Sequence, residues 1–144
     1  MCLNIVAQCL GAVSAAYCAM FLKGGMGSAS PVVFMPAFIS EILFTFALVF
    51  VILNVACSKR SEGNSYFGLA IGFTVMAGAY AVGGISGGVF NPAVAIGLSV
   101  MGLSSVSTIG MYFGSQIIGA VIAWKAFQLT ESRSEEHTSE LQSP

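Results

Sequence analysis

Charged residues are scarce in this 144-residue sequence. Only 8% of its residues are charged, whereas a soluble domain usually carries about a quarter. It has one histidine, His137, no basic patch and no Cys-x-x-Cys pair. Its cysteines lie in or at the ends of apolar runs, where they are predicted to pack as small hydrophobic side chains: Cys2, Cys9, Cys18 and Cys57. These absences argue against a nucleic-acid partner, a cofactor or a metal site, and none is predicted.

Long apolar runs take the place of the missing charge. Hydrophobic residues make up 56% of the chain, and its 17 glycines suit membrane helices, where small residues let backbones approach closely. Because about 20 apolar residues are needed to cross a bilayer, four spans are predicted, at residues 1–22, 32–57, 66–82 and 108–127. The sequence therefore predicts an all-α integral membrane protein that crosses the membrane several times.

Residues 83–105, between the third and fourth predicted spans, do not fit a further crossing. The segment is mostly apolar, yet Pro92 and several glycines interrupt it, and its apolar part is too short to cross. Irregular backbone is tolerated at membrane depth only where it is buried in protein or lines a cavity. We therefore predict a re-entrant loop followed by a half-helix, with the glycine-rich run at residues 83–88 extended.

Asn91 and Pro92 mark the predicted start of that half-helix. Asparagine is a strong N-cap, and proline is at home in the first helical position, where its missing N–H costs nothing. The helix dipole then directs its positive end into the protein, and Asn91 can offer amide N–H groups to a passing solute. A plain helix cap in a loop is the alternative interpretation of these two residues taken alone.

The first and last predicted spans share a sequence pattern. Residues 8–15 read Gln-x-x-Gly-Ala-Val-x-Ala, and residues 116–123 follow the same pattern. If the spans alternate in direction, these two helices run oppositely, which is typical of an inverted repeat. The placement of basic residues favours the side of Lys59 and Arg60 as cytoplasmic.

Residues 84–94 read Gly-Ile-Ser-Gly-Gly-Val-Phe-Asn-Pro-Ala-Val, and this stretch closely resembles the signature of the aquaporin, or major intrinsic protein, family. The resemblance extends along the chain to about residue 130. Four further stretches resemble, in order, parts of that family's third, fourth, fifth and sixth helices: residues 5–12, 41–46, 69–72 and 112–123.

The resemblance implies six spanning helices and two half-helices that meet at mid-membrane, in a homotetramer within the lipid bilayer. This chain would supply a partial aquaporin-like channel domain over residues 1–130, with four transmembrane helices and one re-entrant half-helix. The pore motif would be Asn91, Pro92 and Ala93, which would pass water or small neutral solutes of the glycerol or urea type. Glu41 resembles a family glutamate that braces the re-entrant loop, and a proton-relay role is the alternative.

The predicted selectivity filter departs from the family pattern. The position after the Asn-Pro-Ala motif is usually arginine and here is Val94, while Ala79 and Gly88 fall on the other filter positions of this half. Small or apolar residues at all three predict a wider filter, more tolerant of glycerol or urea. Against this, Tyr112 followed by Phe113 resembles the aromatic pair of water-type members, so the solute stays open.

Residues 131–144 form a polar tail that differs abruptly in composition from the rest of the chain. Residues 133–143, Arg-Ser-Glu-Glu-His-Thr-Ser-Glu-Leu-Gln-Ser, resemble the translation of a common sequencing-library adapter. We therefore expect this tail to be non-native or disordered. On the same interpretation, Met1 is an internal methionine of a longer protein, and the chain is an incomplete fragment of a channel.

Two other functional classes compete with a passive channel. A secondary transporter also uses inverted repeats and broken helices, but it should carry ionisable residues at mid-membrane, where Glu41 is the only candidate. An intramembrane enzyme needs a nucleophile with a base or a metal cluster, and the sequence before the tail has no Ser/His or Cys/His pair. The sequence therefore predicts a channel with no catalytic residue.

Overall fold

The computed structural model describes the backbone of residues 2–142 and the side chains of residues 3–132. Met1 and the last two residues of the tail, 143–144, lie outside the described residues, as does the side chain of His137. The described backbone is helical and contains no strand. Its five main helices are α1 (Cys2–Lys23), α2 (Phe34–Ile52), α3 (Phe67–Ser86), α4 (Pro92–Val100) and α5 (Ile109–Gln142).

Four helical stretches are long and apolar enough to cross a membrane: Leu3–Lys23, Phe34–Cys57, Phe67–Ser86 and Val106–Ser132. The second includes a π turn after α2, and the fourth includes a 3-10 turn before α5. A 20-residue helix measures about 30 Å, which is the thickness of the hydrocarbon core. By contrast, α4 has nine residues and measures about 14 Å. The prediction of four membrane-length helices plus one half-helix is confirmed.

Large apolar side chains cover the outside of this bundle instead of filling its inside. Phe21 is 85% exposed, Leu69 is 64% exposed and Ile117 is 60% exposed. Lipid tails are as apolar as these side chains, so burying them inside the protein gains little. The interior cluster is small and lies around the half-helix: Ala37, Val89, Ala95, Met111 and Tyr112.

Glycines lie at two close helix crossings. The central helix α2 packs against α3 and α5, whereas α1 packs mainly against α4. A methyl group added to Gly119 on α5 would lie 2.6 Å from the carbonyl oxygen of Ile42 and 3.1 Å from the backbone nitrogen of Phe46. A methyl group on Gly97 of α4 would lie 3.2 Å from the carbonyl oxygen of Ala12 on α1. Glycine therefore allows backbone to approach backbone at both crossings.

The end of α3 differs from the sequence prediction. The expectation of an extended run at residues 83–88 is wrong for its first four residues, because α3 continues through Gly83 and Gly84 to Ser86. A helix satisfies its own backbone polar groups at membrane depth, whereas an extended run leaves them unpaired. The helix ends at Gly87, whose φ is 90° and whose N–H donates to the carbonyl of Gly83 at 3.0 Å. This left-handed conformation is the common glycine cap of a helix.

The last helix also differs from its prediction. The sequence predicts a span that ends near residue 127 and, over residues 131–144, a tail that is non-native or disordered; in the structure α5 continues past residue 127 to Gln142. Residues 120–142 contain no glycine or proline, and polar residues without such a breaker do not by themselves end a helix. The adapter-like origin of the tail stays a prediction.

Hydrogen bonds and an ion pair connect α5 to the loop between α2 and α3. The hydroxyl of Ser58 lies 3.0 and 3.1 Å from the two carboxylate oxygens of Glu131, and Arg60 Nη2 lies 3.2 Å from the same carboxylate. Asn64 stabilises the connection itself by donating to the carbonyl of Val55 at 2.6 Å. Side-chain contacts therefore extend one residue past the predicted domain boundary at residue 130.

Replacing Gly119 with alanine should destabilise the bundle, because the added methyl group meets backbone atoms of α2 that cannot rotate away. Overpacking of this kind costs about 1–3 kcal/mol, and we expect a lower midpoint of thermal unfolding in detergent micelles. Gly114→Ala on the same helix is the control, since no atom of the described residues lies within 4 Å of its added methyl group. Equal midpoints for the two variants would contradict the close α2–α5 crossing.

Candidate functional site

Asn91 begins α4, as the sequence predicts. The residue is extended, with φ −152° and ψ 128°, and its Oδ1 accepts a hydrogen bond from the N–H of Ala93 at 2.9 Å. Pro92 occupies the first helical position. The side-chain nitrogen of Asn91 has no hydrogen bond to any described residue, and the side chain is half-buried. Asn91 therefore presents a free amide donor at the positive end of a helix dipole.

The segment leading to this turn passes through left-handed backbone conformations. Gly87 and Gly88 have φ values of 90° and 64°, and Phe90 has a φ of 50°. For a residue with a side chain this conformation costs about 1–2 kcal/mol, so surrounding contacts must hold Phe90 in place. Its ring centroid lies 5.5 Å from that of Phe44, and a methyl group on Gly78 would lie 2.7 Å from its Cε2 atom.

Glu41 supplies the main polar contact of this segment. Its side chain is fully buried, and each of its carboxylate oxygens accepts two hydrogen bonds. Oε1 accepts from the hydroxyl of Ser86 at 2.7 Å and from the N–H of Val89 at 2.9 Å. Oε2 accepts from the N–H of Phe90 at 2.7 Å and from Nε2 of Gln116 at 3.0 Å. A carboxylate has about four acceptor positions, so described donors occupy all of them.

Ser86 connects this contact to two neighbouring elements. Its hydroxyl donates to Glu41 and also accepts from the N–H of Gly88 at 3.2 Å, while its carbonyl accepts from the hydroxyl of Tyr112 at 2.7 Å. Sequence reasoning did not single out Ser86, although a hydroxyl beside a glycine pair at a helix end was a usable signal. The sequence marks Gln116 only as part of the repeat pattern and Tyr112 only as part of the aromatic pair. Neither pattern indicates a contact with Glu41 or Ser86.

The three predicted filter positions carry small or apolar side chains, and the structure brings two of them together. Gly88 lies against α3, where a methyl group added to it would lie 3.2 Å from the Cα of Ala79. Val94 is 42% exposed and lines an apolar groove of about 260 Å³ between α1 and α4. None of the three offers a charge or a side-chain hydrogen bond. These positions therefore contribute shape and apolar surface, and the neutral donor nearby is the side-chain amide of Asn91.

The family description "Major intrinsic protein" matches residues 1–79 and, in a second match, residues 67–143. Together the two matches cover nearly the whole chain. The chain belongs to the major intrinsic protein family. It is an integral, multi-pass membrane protein, and its four apolar helices agree with that assignment.

Relatives within the major intrinsic protein family include more than one named type. Aquaporin Z of Brucella melitensis is 44% identical over 89 residues, covering 58% of this chain and 39% of the relative. Glycerol uptake facilitator protein-like 6 of Lactiplantibacillus plantarum is 42% identical over 91 residues, covering 62% and 41%. Probable aquaporin TIP2-2 of Arabidopsis thaliana is 32% identical over 124 residues, covering 82% and 49%.

The chain spans about two fifths to half the length of these curated relatives. No solved structure matches it.

Replacing Glu41 with glutamine should destabilise the fold, because the new amide group turns its own N–H groups toward two of the four existing donors. Hydrogen bonds to a charged group contribute about 1.5–3 kcal/mol each, so we expect a loss of at least about 2 kcal/mol in the free energy of unfolding. Denaturant unfolding in micelles measures it. Glu62→Gln, at an exposed loop residue, is the control and should change little. A Glu41→Gln protein as stable as this control would refute the four-donor arrangement.

Proposed function

We propose that this chain forms part of a passive transmembrane channel for water and small neutral solutes, with Asn91, Pro92 and Ala93 at the conduction path. The observation that carries the proposal is a nine-residue, asparagine-capped half-helix in a chain of the major intrinsic protein family. A half-helix this short has no use as a membrane crossing. It brings a helix terminus and its free donors to the middle of the bundle.

Neutral donors suit the passage of neutral solutes. The Asn91 amide can orient the oxygen of a water or a hydroxyl without binding it as tightly as a charged group. The positive end of the α4 dipole opposes the entry of cations. Val89 and Phe90 cannot offer their N–H groups to the path, since both donate to Glu41.

For Glu41 we propose the bracing role instead of the proton-relay role. A relay must gain and lose a proton, and a protonated carboxyl has one acceptor position fewer and needs an acceptor for its own O–H. Because four donors already occupy the carboxylate, protonation would break one of these hydrogen bonds. A secondary transporter is disfavoured for the same reason, because Glu41 is the only acid within the four predicted spans.

The filter positions support a pore that is not restricted to water. Ala79, Gly88 and Val94 leave open the space that an arginine fills in the usual family pattern, and they remove its charge. Relatives named both as aquaporins and as a glycerol uptake facilitator match the chain at similar identity. We therefore propose a channel that passes glycerol-sized neutral solutes as well as water.

The surface of α1 supports a longer channel in which this chain is the back half. On α5, Gln116 is 2% exposed and Gly119 contacts α2 closely. At the matching positions on α1, Gln8 is exposed, and no described atom lies within 4 Å of a methyl group added to Gly11. On α5, the face that carries the repeat pattern is covered by α2. On α1, the matching face is uncovered. We propose that a front half covers α1 and that the complete channel is a homotetramer, as the family resemblance implies.

Val94→Arg in the full-length protein should narrow the proposed filter. In stopped-flow swelling of proteoliposomes, we expect glycerol permeability to fall by about tenfold, which corresponds to about 1.4 kcal/mol of added barrier, with a smaller effect on water. Val94→Ala is the control and should retain glycerol flux. Unchanged glycerol flux in Val94→Arg would place Val94 outside the conduction path.

The 144-residue chain by itself should conduct nothing, because one half-helix supplies only part of a pore wall. Liposomes containing this chain should swell no faster than empty liposomes in water or glycerol gradients. Circular dichroism on the same liposomes checks that the helices have formed. Flux well above empty liposomes would contradict the half-channel proposal.

A further inference from the structure

A second cavity lies beside the re-entrant segment, and its lining includes Gly87, which precedes the proposed filter position Gly88. It has a volume of about 240 Å³ and lies where the end of α3, the end of α4 and the start of α5 meet. Its polar lining includes Ser86, Ser104, Ser105, Thr108 and Tyr112. None of the three filter positions lines it. We call this space the side cavity.

Hydrogen bonds fix the direction of several protons around the side cavity. Thr108 donates its single hydroxyl proton to the carbonyl of Ser105 at 2.6 Å. Ser104 Oγ lies 2.8 Å from Thr108 Oγ1 and is also a hydrogen-bond neighbour of the Tyr112 hydroxyl, so its single proton goes to one of these two oxygens. Tyr112 donates its proton to the carbonyl of Ser86 at 2.7 Å. The oxygens of Ser104 and Tyr112 are therefore left as acceptors, and the cavity suits a ligand that brings O–H or N–H donors.

The rest of the lining limits the ligand further. Among the side chains that the structure describes, no Asp, Glu, Lys, Arg or His lines the side cavity, and its other walls are apolar, with Pro31, Leu98 and Leu103 among them. A charged ligand would lose its hydration there without a partner. The volume equals that of about eight waters of liquid, which is enough for a compact molecule of a few heavy atoms. A ligand with hydroxyl groups on a short carbon chain matches this lining, because its O–H groups can donate to the polar side and its carbon atoms can pack against the apolar walls.

We propose that the side cavity binds one small neutral polyol, with glycerol as the probe. The site is connected to the filter segment through Ser86, whose carbonyl accepts from Tyr112 and whose hydroxyl accepts from Gly88. A polyol that donates to the oxygen of Tyr112 adds a contact to a hydroxyl that fixes this segment, so its binding stabilises the folded protein. The binding does not depend on conduction through the pore, so the two proposals can fail separately.

Thermal unfolding of the full-length protein in micelles tests the site. Any osmolyte raises the midpoint by exclusion from the surface, so sucrose, which is too large for the cavity, gives the non-specific rise at equal osmolality. We expect glycerol to raise the midpoint more steeply than sucrose. This excess should disappear in Ser104→Ala and in Thr108→Val. It should persist in the control Ser99→Ala, whose hydroxyl bonds to the carbonyl of Ala95 outside the cavity.

Comparison of the variants separates the side cavity from the pore. An excess that persists in Ser104→Ala and Thr108→Val but is lost in Val94→Arg would come from glycerol in the pore and would overturn the proposal. Equal slopes for glycerol and sucrose in the parent protein would also overturn it, since the cavity would then hold water only. For each variant, the rise of the unfolding midpoint in glycerol and in sucrose is measured from that variant's own midpoint without solute. A lower starting stability therefore does not obscure the difference between the two solutes.

Discussion

The four hydrogen bonds to Glu41 are the interaction on which the rest of this structure depends. A chain that leaves the helical conformation inside a membrane exposes N–H groups that lipid cannot satisfy. The chain leaves the helical conformation between α3 and α4, where the N–H groups of Val89 and Phe90 donate to the carboxylate of Glu41 on α2. The same carboxylate binds Ser86 at the end of α3 and Gln116 on α5. One buried acid thereby fixes the position of three helices relative to the turn.

Two further features allow this arrangement. Glycine at position 119 lets α5 approach α2 closely enough for Gln116 to reach the carboxylate. The left-handed conformation of Phe90 directs its N–H to the same group, and packing against Phe44 helps to hold it there. The cost of that conformation is about 1–2 kcal/mol, which a charge-assisted hydrogen bond can offset. The outcome is a helix N-terminus that is held inside the bundle with its asparagine donor free.

Much of this architecture was predictable because its signals are local. Apolar length indicated the spans, Asn91 with Pro92 indicated the start of the half-helix, and the isolated acid at position 41 marked the site. The helical course of residues 83–86 was missed, because glycine pairs suggest extended chain and only membrane depth reverses that preference. The four partners of Glu41 were not predictable from spacing, since they come from residues 45 to 75 positions away. The fold alone brings them together.

Backbone amide exchange at Val89 and Phe90 tests the central claim most directly. In the full-length protein in lipid nanodiscs, both amides should exchange as slowly as amides within α3, although neither belongs to a helix. In Glu41→Gln, where only one of the two side-chain oxygens remains, at least one of the two amides should exchange about as fast as the amide of Gly63, which lies in an exposed loop. Rapid exchange of the two amides in the parent protein, or continued protection of both amides in the variant, would show that Glu41 does not hold the re-entrant segment in place.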